Sequence, residues 1–559
     1  MKFLAAKSIK THIFLLIILS LVTSIYVQWP ILSDYYSFDG DTSNIIFWHN
    51  SISLDKASIN SNDLMSRYAS WFIAPGLKAV YLLGSIFAEP IVLAKFIPIA
   101  TSTICVILIY LIGSLMNGAK CGIVAAISFI CTAWFYRYRQ MFGSADAEEF
   151  SLVLMLLFIY FIIKEKYWIL AIIIALEALF YPPLFILSSL TVFLSSLFRL
   201  RRTGTVFWKE NKSAFTCMAV VILAFACFMF YKYQQSTPQF LGRTLTPIEV
   251  KDIDDFKPGG RNPIFSQPDT FSRRFVSDAT GLGIDLPKKI MFGFICLLFI
   301  FPCSLKVRRA FLLKIPAVLW IFLVAGMGMC LIANLVLFKL YEPSRFIQNP
   351  LNIFLVLFIG CQITFGEGRL NVERRVAVRN VVAVAYLLVM MLVLVPRFGC
   401  HQETASSLKS EIDFISNLPG NAFVAGDPKL MNNLGLYAKK RVFLTYKLST
   451  EVYWLNYYRE MTKRTEDFYR TYYADSHQDV SEFCTLYGIT HLVVDKSQFS
   501  DNYIARGDFY YSPFNDYIKQ ITAGLTSYFL MNLPPGTRIF EGLNIVVVDC
   551  RELSKTGKI

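Results

Sequence analysis

The chain has 559 residues, 55% of them hydrophobic and 17% charged, with a mean hydropathy of +0.48. That composition excludes an ordinary soluble globular protein. A net charge of +14 would point to nucleic acid in a soluble chain. Here most of the surplus lies in short loops between apolar runs, where it reports orientation in a bilayer, so no nucleic-acid partner is expected.

In chain order, the first apolar run covers 11–29 and follows Lys2, Lys7 and Lys10. Its length, and the lack of a small-x-small cleavage site, predict a retained membrane helix and not a signal peptide. A polar segment follows, from about 30 to 90. Its Pro75–Ala88 stretch is too short to span comfortably and opens on a helix-compatible proline, which predicts a helix lying in the interface. Further spans are expected at 91–116, 121–135, 150–163, 168–181, 184–198 and 214–231. After a polar stretch, 232–289, come 290–304, 315–338, 351–365 and 381–395. With the first helix this makes about eleven; those of roughly 15 residues are marginal against the ~20 that a ~30 Å hydrocarbon core requires.

With the N-terminus in the cytoplasm, the inside loops carry Lys120; Lys164 and Lys166; Arg199, Arg201, Arg202, Lys209 and Lys212; Lys306, Arg308, Arg309 and Lys314; and Arg369, Arg374, Arg375 and Arg379. The outside segments are mixed or acidic. Every alternation obeys the positive-inside rule, which a wrong span count would break. The expected location is a plasma (inner) membrane, with a membrane domain at 1–396 and an extracytoplasmic domain at 397–559. An endoplasmic reticulum membrane facing the lumen obeys the same physics.

The tail alternates helical stretches such as 451–473 with strand-like ones at 422–425, 441–445, 491–495 and 544–549. That alternation predicts a small α/β domain. It has no Gly-rich phosphate loop, so it offers no nucleotide site. Cys400, Cys484 and Cys550 lie in the tail. In an oxidising compartment two of them could form a disulfide, and spacing does not say which two.

Polar clusters on the expected outer side could carry chemistry. The first, after the first helix, is Asp39-Gly40-Asp41, with His49 nearby. Asp41 could simply cap the helix running through Trp48, or its carboxylate could accept a proton from an incoming hydroxyl. A polar contact suits His49 better than metal ligation. The second runs from Arg137 and Arg139 to Asp146, Glu148 and Glu149. It reads as a helix start with an acidic first turn, and equally as a site for a phosphate or a metal. The third is Tyr341-Glu342-Pro343-Ser344-Arg345. Arg345 could snorkel to headgroups or pair with a lipid phosphate, for which its planar fork is suited. Tyr181-Pro182-Pro183 adds a kink and a candidate cavity wall.

This pattern resembles the GT-C superfamily of membrane glycosyltransferases, over about residues 1–400 as architecture. The short motif matches are Asp39-Gly40-Asp41, Asp146-Ala147-Glu148-Glu149 and Tyr341–Arg345. The resemblance implies a polyprenyl-phosphate sugar as donor and inversion at the anomeric carbon. It further implies an acceptor that is a lipid, glycan or protein, and membrane lipids as surroundings. It makes Asp41, then Asp39, the catalytic aspartate. Arg345, with Arg137, Arg139 and Tyr341, would bind the donor phosphate, and Asp146, Glu148 and Glu149 would be the second acidic motif. Some members use a divalent cation such as Mg2+ or Mn2+, for which Asp39, Asp41, Asp146 and Glu148 would be the ligands. The departures are an Asp-Gly-Asp where many relatives have Asp-Glu, and no Trp-Trp-Asp-Tyr-Gly motif, which argues against peptide N-glycosylation. Readings from other classes are a transporter or flippase of lipid-linked glycan and a non-catalytic membrane scaffold. Transport favours ionisable groups near the midplane and paired broken helices. Here only Glu177 and Lys95 interrupt the spans, near their ends.

Overall fold

The computed structural model describes residues 2–53, 63–135, 142–203, 215–216, 218–227, 239–257, 259–261, 315–336, 339–340, 342–364, 402–450, 453–534 and 536–556. The chain divides into two compact units. One comprises residues 1–33, 74–236 and 270–402; the other comprises 34–73, 237–269 and 403–559.

The first unit is helical. Its main elements are α1 (Lys2–Leu32), α2 (Pro75–Gly84), α3 (Pro90–Asn117), α4 (Ala119–Phe135), α5 (Ala147–Ile163), α6 (Tyr167–Phe180), α7 (Pro182–Thr203), α8 (Ala317–Val336) and α9 (Gln348–Thr364). Among the described residues, five helices are long and apolar enough to cross a membrane: Ile9–Leu32, Pro90–Asn117, Pro182–Arg201, Ala317–Val336 and Pro343–Thr364. Ala119–Cys131, Tyr167–Phe180 and Met218–Cys227 are shorter apolar helices. The expected spans at 290–304 and 381–395 lie outside the described residues. The Pro75 stretch is a helix, with the proline in its first turn, where a missing N–H costs nothing.

Polar contacts fix the direction of the helix pairs. His12 Nδ1 lies 3.2 Å from the Tyr110 hydroxyl, and Ser20 donates to Thr103 (3.1 Å). The Ser24 and Ser102 hydroxyls are 3.0 Å apart, and Lys95 Nζ donates to the Ile31 carbonyl (2.8 Å). Numbers rise along α1 as they fall along α3, so the two run antiparallel. Small residues let other helices close further. A Cβ on Gly113 of α3 would come within 2.9 Å of Gly122 Cα in α4, and one on Gly360 of α9 within 2.9 Å of the Cys121 carbonyl. Such close backbone approach is how helices gain contact where no hydrophobic force drives them together. Cys105, Ile109, Phe129, Leu156, Phe158 and Val356 are among the residues of the buried core.

Contacts at the helix ends group the loops. Asn117 donates to Thr364 (2.9 Å), and Arg199 pairs with Glu165 (2.7 Å). Elsewhere Tyr81 donates to the Ala145 carbonyl (3.2 Å), and Arg345 pairs with Glu148. Each of these contacts joins segments that the loop-charge alternation assigns to one side.

The second unit is built on a five-stranded sheet. Its strands are β1 (Phe423–Gly426), β2 (Arg441–Val442), β3 (His491–Asp495), β4 (Arg538–Glu541) and β5 (Ile545–Asp549), in the order β2-β1-β3-β5-β4. β1 runs parallel to β2 and β3, while β5 is antiparallel to β3 and β4. The helices α10 (Pro428–Ala438), α11 (Leu455–Tyr472), α12 (His477–Tyr487) and α13 (Cys550–Thr556) complete the α/β tail, with α10 as the crossover between parallel neighbours. Segments from elsewhere in the chain pack onto it. Helix Ser43–Ser53 lies against α10, where Asn50 donates to the Leu436 carbonyl (2.8 Å). Helix Leu64–Phe72 stacks Tyr68 on Tyr457 with ring centroids 4.4 Å apart. The Leu245 N–H donates to the Tyr453 carbonyl (2.9 Å).

Candidate active site

Asp39 and Asp41 divide the work that either could do. Asp39 ends an extended stretch and is the N-cap of the 3-10 turn Gly40–Thr42, its carboxylate accepting the Asp41 N–H (3.0 Å). It is buried. The capping role expected of Asp41 therefore belongs to Asp39. The reason is that the chain enters helix Ser43–Ser53 through a 3-10 turn, which shifts the cap two residues upstream. Asp41, freed from capping, has a side chain that is 46% exposed and pairs at 2.5 Å with Lys447 Nζ, whose side chain is 10% exposed. Glu403 lies beside them. A Cβ at Gly40 would overlap its carboxylate and sit 3.4 Å from Lys447 Cε, so a side chain between the two aspartates would require Glu403 to move aside. Glu403 is steadied by Asn432 (3.3 Å). Asp34 is held by Ser406, Ser37 and Thr404 and by the Tyr36 N–H. Those hydrogen bonds, Ser406 foremost, lower its pKa against the opposing effect of burial. His49 packs edge-on to Trp48, and burial, then the Lys439 charge, lower its pKa.

Lys447 was invisible to sequence reading. It lies in the short helix Tyr446–Ser449, started by the Thr445 hydroxyl, which accepts the Leu448 N–H (3.2 Å). Nothing in that string singles out a lysine aimed at an aspartate some four hundred positions earlier.

In the helical unit the second acidic motif also separates into roles. Asp146 is the N-cap of α5, accepting the N–H groups of Glu148 (2.9 Å) and Glu149 (3.1 Å). Glu149 is buried and turned back on the preceding loop. It accepts the Ala145 N–H (2.9 Å), the Gly143 N–H (3.4 Å) and the Thr101 hydroxyl. That loop is tight: Gly143 and Ala145 have φ of 129° and 52°, and the Tyr81 hydroxyl closes it on the Ala145 carbonyl. A non-glycine residue at such a φ persists only where its surroundings hold it. Here they do, and the result fixes where α5 begins and where Glu148 stands.

Glu148 forms an ion pair with Arg345 Nη1, while Arg345 Nε donates to Glu342 (3.0 Å). Arg345 sits in a 3-10 turn, Pro343–Phe346, pressed against α8. The approach is close enough that a Cβ on Gly326 would lie 2.6 Å from the Phe346 carbonyl. The guanidinium borders a cleft with Ser151, Tyr181, Pro183, Asn349 and Pro350. The Tyr181-Pro182-Pro183 junction is thus a cavity wall, as its kink suggested. Arg137, Arg139 and Tyr341 lie outside the described residues.

Among the described residues no three His, Cys, Asp or Glu side chains gather to hold a metal. Of the four carboxylates expected to serve one, Glu148 and Asp41 are engaged by cationic side chains and Asp146 and Asp39 by backbone N–H groups. Among the described residues these four carboxylates assemble no metal site within either unit.

No family model matches the sequence, and no curated protein matches it by sequence. Solved structures do match. The oligosaccharyltransferase AglB from Archaeoglobus fulgidus, in complex with an inhibitory peptide and a dolichol-phosphate, aligns over 94% of this chain and 75% of its own, with TM-score 0.50 and 10% identity. The oligosaccharyltransferase from the same organism with zinc and sulfate aligns over 89% and 69%, with TM-score 0.51 and 12% identity. The one tethered to an acceptor peptide aligns over 91% and 71%, with TM-score 0.51 and 11% identity. The chain has the GT-C fold. At such identity the likeness concerns the backbone, and one fold can host different functions. What distinguishes this chain is its own set of side chains: Asp41 on Lys447, and Arg345 between Glu148 and Glu342.

Proposed function

We propose that this chain is a membrane glycosyltransferase, moving a hexosyl or pentosyl group from a polyprenyl-phosphate donor to an acceptor hydroxyl on a lipid, glycan or protein, with inversion. The observation that carries the reading is Arg345, a guanidinium clamped between Glu148 and Glu342 and lining a small cleft, on a GT-C scaffold. A relative in fold is seen with dolichol-phosphate, a lipid of the proposed donor class.

A donor on a long isoprenoid stays in the bilayer, so its phosphate must be met at the helix ends. Arg345 is the group for that: Glu148 and Glu342 hold its planar fork in place before substrate arrives, so little reorganisation is needed as charge develops on the leaving phosphate. The acceptor oxygen attacks the anomeric carbon as the carbon–oxygen bond to phosphate breaks. The bonding pair leaves with the phosphate, and the hydroxyl proton passes to a carboxylate, for which Asp41 is proposed. Asp39 sets the turn that presents Asp41, and Lys447 keeps that carboxylate in one orientation. The tail and the Asp39–Asp41 segment are proposed to face away from the cytoplasm, in keeping with the loop charges.

The test is reconstitution of the full chain with labelled polyprenyl-phosphate sugars and a panel of lipid, glycan and peptide acceptors. Asp41→Asn and Arg345→Lys are expected to lower transfer by about 10²-fold or more. The product anomer, read by NMR, reports inversion. Transfer that survives both Asp41→Asn and Asp39→Asn would remove the proposed base. Lipid translocation without any transfer would establish the flippase reading instead.

A further inference from the structure

Two cysteines of the tail meet in its interior. Cys484 lies in the last turn of α12, and Cys550 opens α13 directly after β5. Both are buried, and their sulfurs are 2.8 Å apart. Carbon atoms in contact come to rest at about 3.5–4 Å, and sulfur is no smaller than carbon. A sulfur pair well inside that distance is relieved either by moving apart or by forming a bond of about 2.05 Å.

Moving apart is opposed from both sides. The Cys484 carbonyl accepts the Ile489 N–H (2.8 Å) in a helix end closed by Gly488 at φ 70°. The Cys550 N–H donates to the Thr490 carbonyl (3.0 Å). The two helices are tied together again at Ser481–Ser554 (3.3 Å) and at His477–Leu553 (2.8 Å). Cys121 and Cys361 of the helical unit offer the contrast. Their sulfurs are 3.4 Å apart, near ordinary contact, and the charged loop beside Cys121 carries Lys120 on the side read as cytoplasmic.

We infer that Cys484 and Cys550 form a structural disulfide that closes the tail domain, made while the chain folds outside the cytoplasm. The chemistry is thiol–disulfide exchange with a disulfide-bearing oxidant, either a protein or a small molecule. One cysteine thiolate attacks the oxidant's disulfide, expelling a thiolate and leaving a mixed disulfide. The second attacks the mixed disulfide, forming the Cys484–Cys550 bond and releasing the oxidant as a dithiol. Two protons and two electrons leave the protein. Burial pushes the Cys550 thiol well above its ordinary pKa, so exchange belongs to the folding chain and the closed bond resists later reduction. The bond would join α12 to the segment after β5, tying the sheet's central strands to the end of the chain.

The inference is independent of the proposed transferase activity and has its own readout. Membranes holding the full chain are solubilised with an alkylating agent, and the protein is denatured in the same agent and digested without reduction. The expected result is one peptide pair joined through Cys484 and Cys550, about 2 Da lighter than the two free thiol peptides together, with Cys121 and Cys361 recovered alkylated. Reductant is expected to lower the thermal midpoint of the wild type and to leave that of Cys484→Ser unmoved. If that variant does not fold, the wild-type peptide map alone decides. Alkylated Cys484 and Cys550, or a bond from Cys400 to either, would overturn the inference. So would a Cys121–Cys361 crosslink in the same sample, since the oxidation would then be indiscriminate.

Discussion

Arg441 of β2 and Asp63, the N-cap of helix Leu64–Phe72, are both buried and face each other at 3.5 Å. The pair fastens an early segment of the chain to the edge of the tail's sheet. At an effective dielectric of about 20, two unit charges at that separation attract by about 5 kcal/mol. Much of this only offsets the cost of desolvation, so the pair should be worth little against a well-packed apolar replacement, yet its breakage should be expensive. Arg441→Met leaves Asp63 buried without its ion-pair partner, with Arg464 acting on it only through charge, and is expected to cost about 3–5 kcal/mol. That corresponds to a fall in thermal midpoint of roughly 6–20 °C for a unit of this size class. In Asp63→Asn/Arg441→Met the charge is gone from both sides, and Asn still caps the helix by accepting the Ser66 N–H as Asp63 does at 3.1 Å. The double variant should therefore recover more than half of the loss. Midpoints of the detergent-solubilised full chain, followed by intrinsic fluorescence, measure both. If the double variant is as unstable as Arg441→Met, or if Arg441→Met unfolds within a degree of wild type, the reasoning is wrong.

Burial raises the pKa of Asp255 to about 6, against hydrogen bonds from Tyr458 and Tyr511 that pull the other way. A raised carboxylate favours the protonated folded form, so its contribution is fully present below the unfolded value near 4 and is lost as pH rises through about 6. Asp255→Asn should flatten the fall in unfolding midpoint between pH 4 and 7. Gly113→Ala should destabilise the α3–α4 contact by about 1–3 kcal/mol, because the nearest obstacle to the new methyl is Gly122 backbone, which cannot turn away; detergent-dependent aggregation on size exclusion reads it. Gly40→Ala should displace the Glu403 side chain, a flexible obstacle. The expected result is a loss of transfer with the unfolding midpoint nearly unchanged.

The apolar runs were legible because the bilayer imposes a length that composition alone can meet. Residues 91–116 became Pro90–Asn117 and 315–338 became Ala317–Val336 with only end effects. In the tail, 491–495 became β3 without change, since a buried apolar run between turn residues has few alternatives. The strand expected over 441–445 shrank to Arg441–Val442, because the Thr445 cap starts a helix at Tyr446. β4, with Arg538 and Glu541 at its ends and no buried face, gave no strand signal at all. At the candidate site, residue types and their neighbourhood could be read, but not their partners. Two aspartates flanking a glycine are equal candidates for a cap until the turn is known. The Lys447 and Glu403 contacts depend on long-range packing that no local pattern encodes.

The sheet's borders have a consequence for life at a crowded membrane surface. One border, β2, offers only two residues of backbone, and the other, β4, is exposed and carries Arg538 and Glu541, with Lys496 paired to Glu541 at 2.6 Å. A neighbouring copy seeking a strand to extend would find one border too short to register on and the other already charged and occupied. Copies of this domain held side by side at high local density can therefore collide repeatedly without zipping into a continuous sheet.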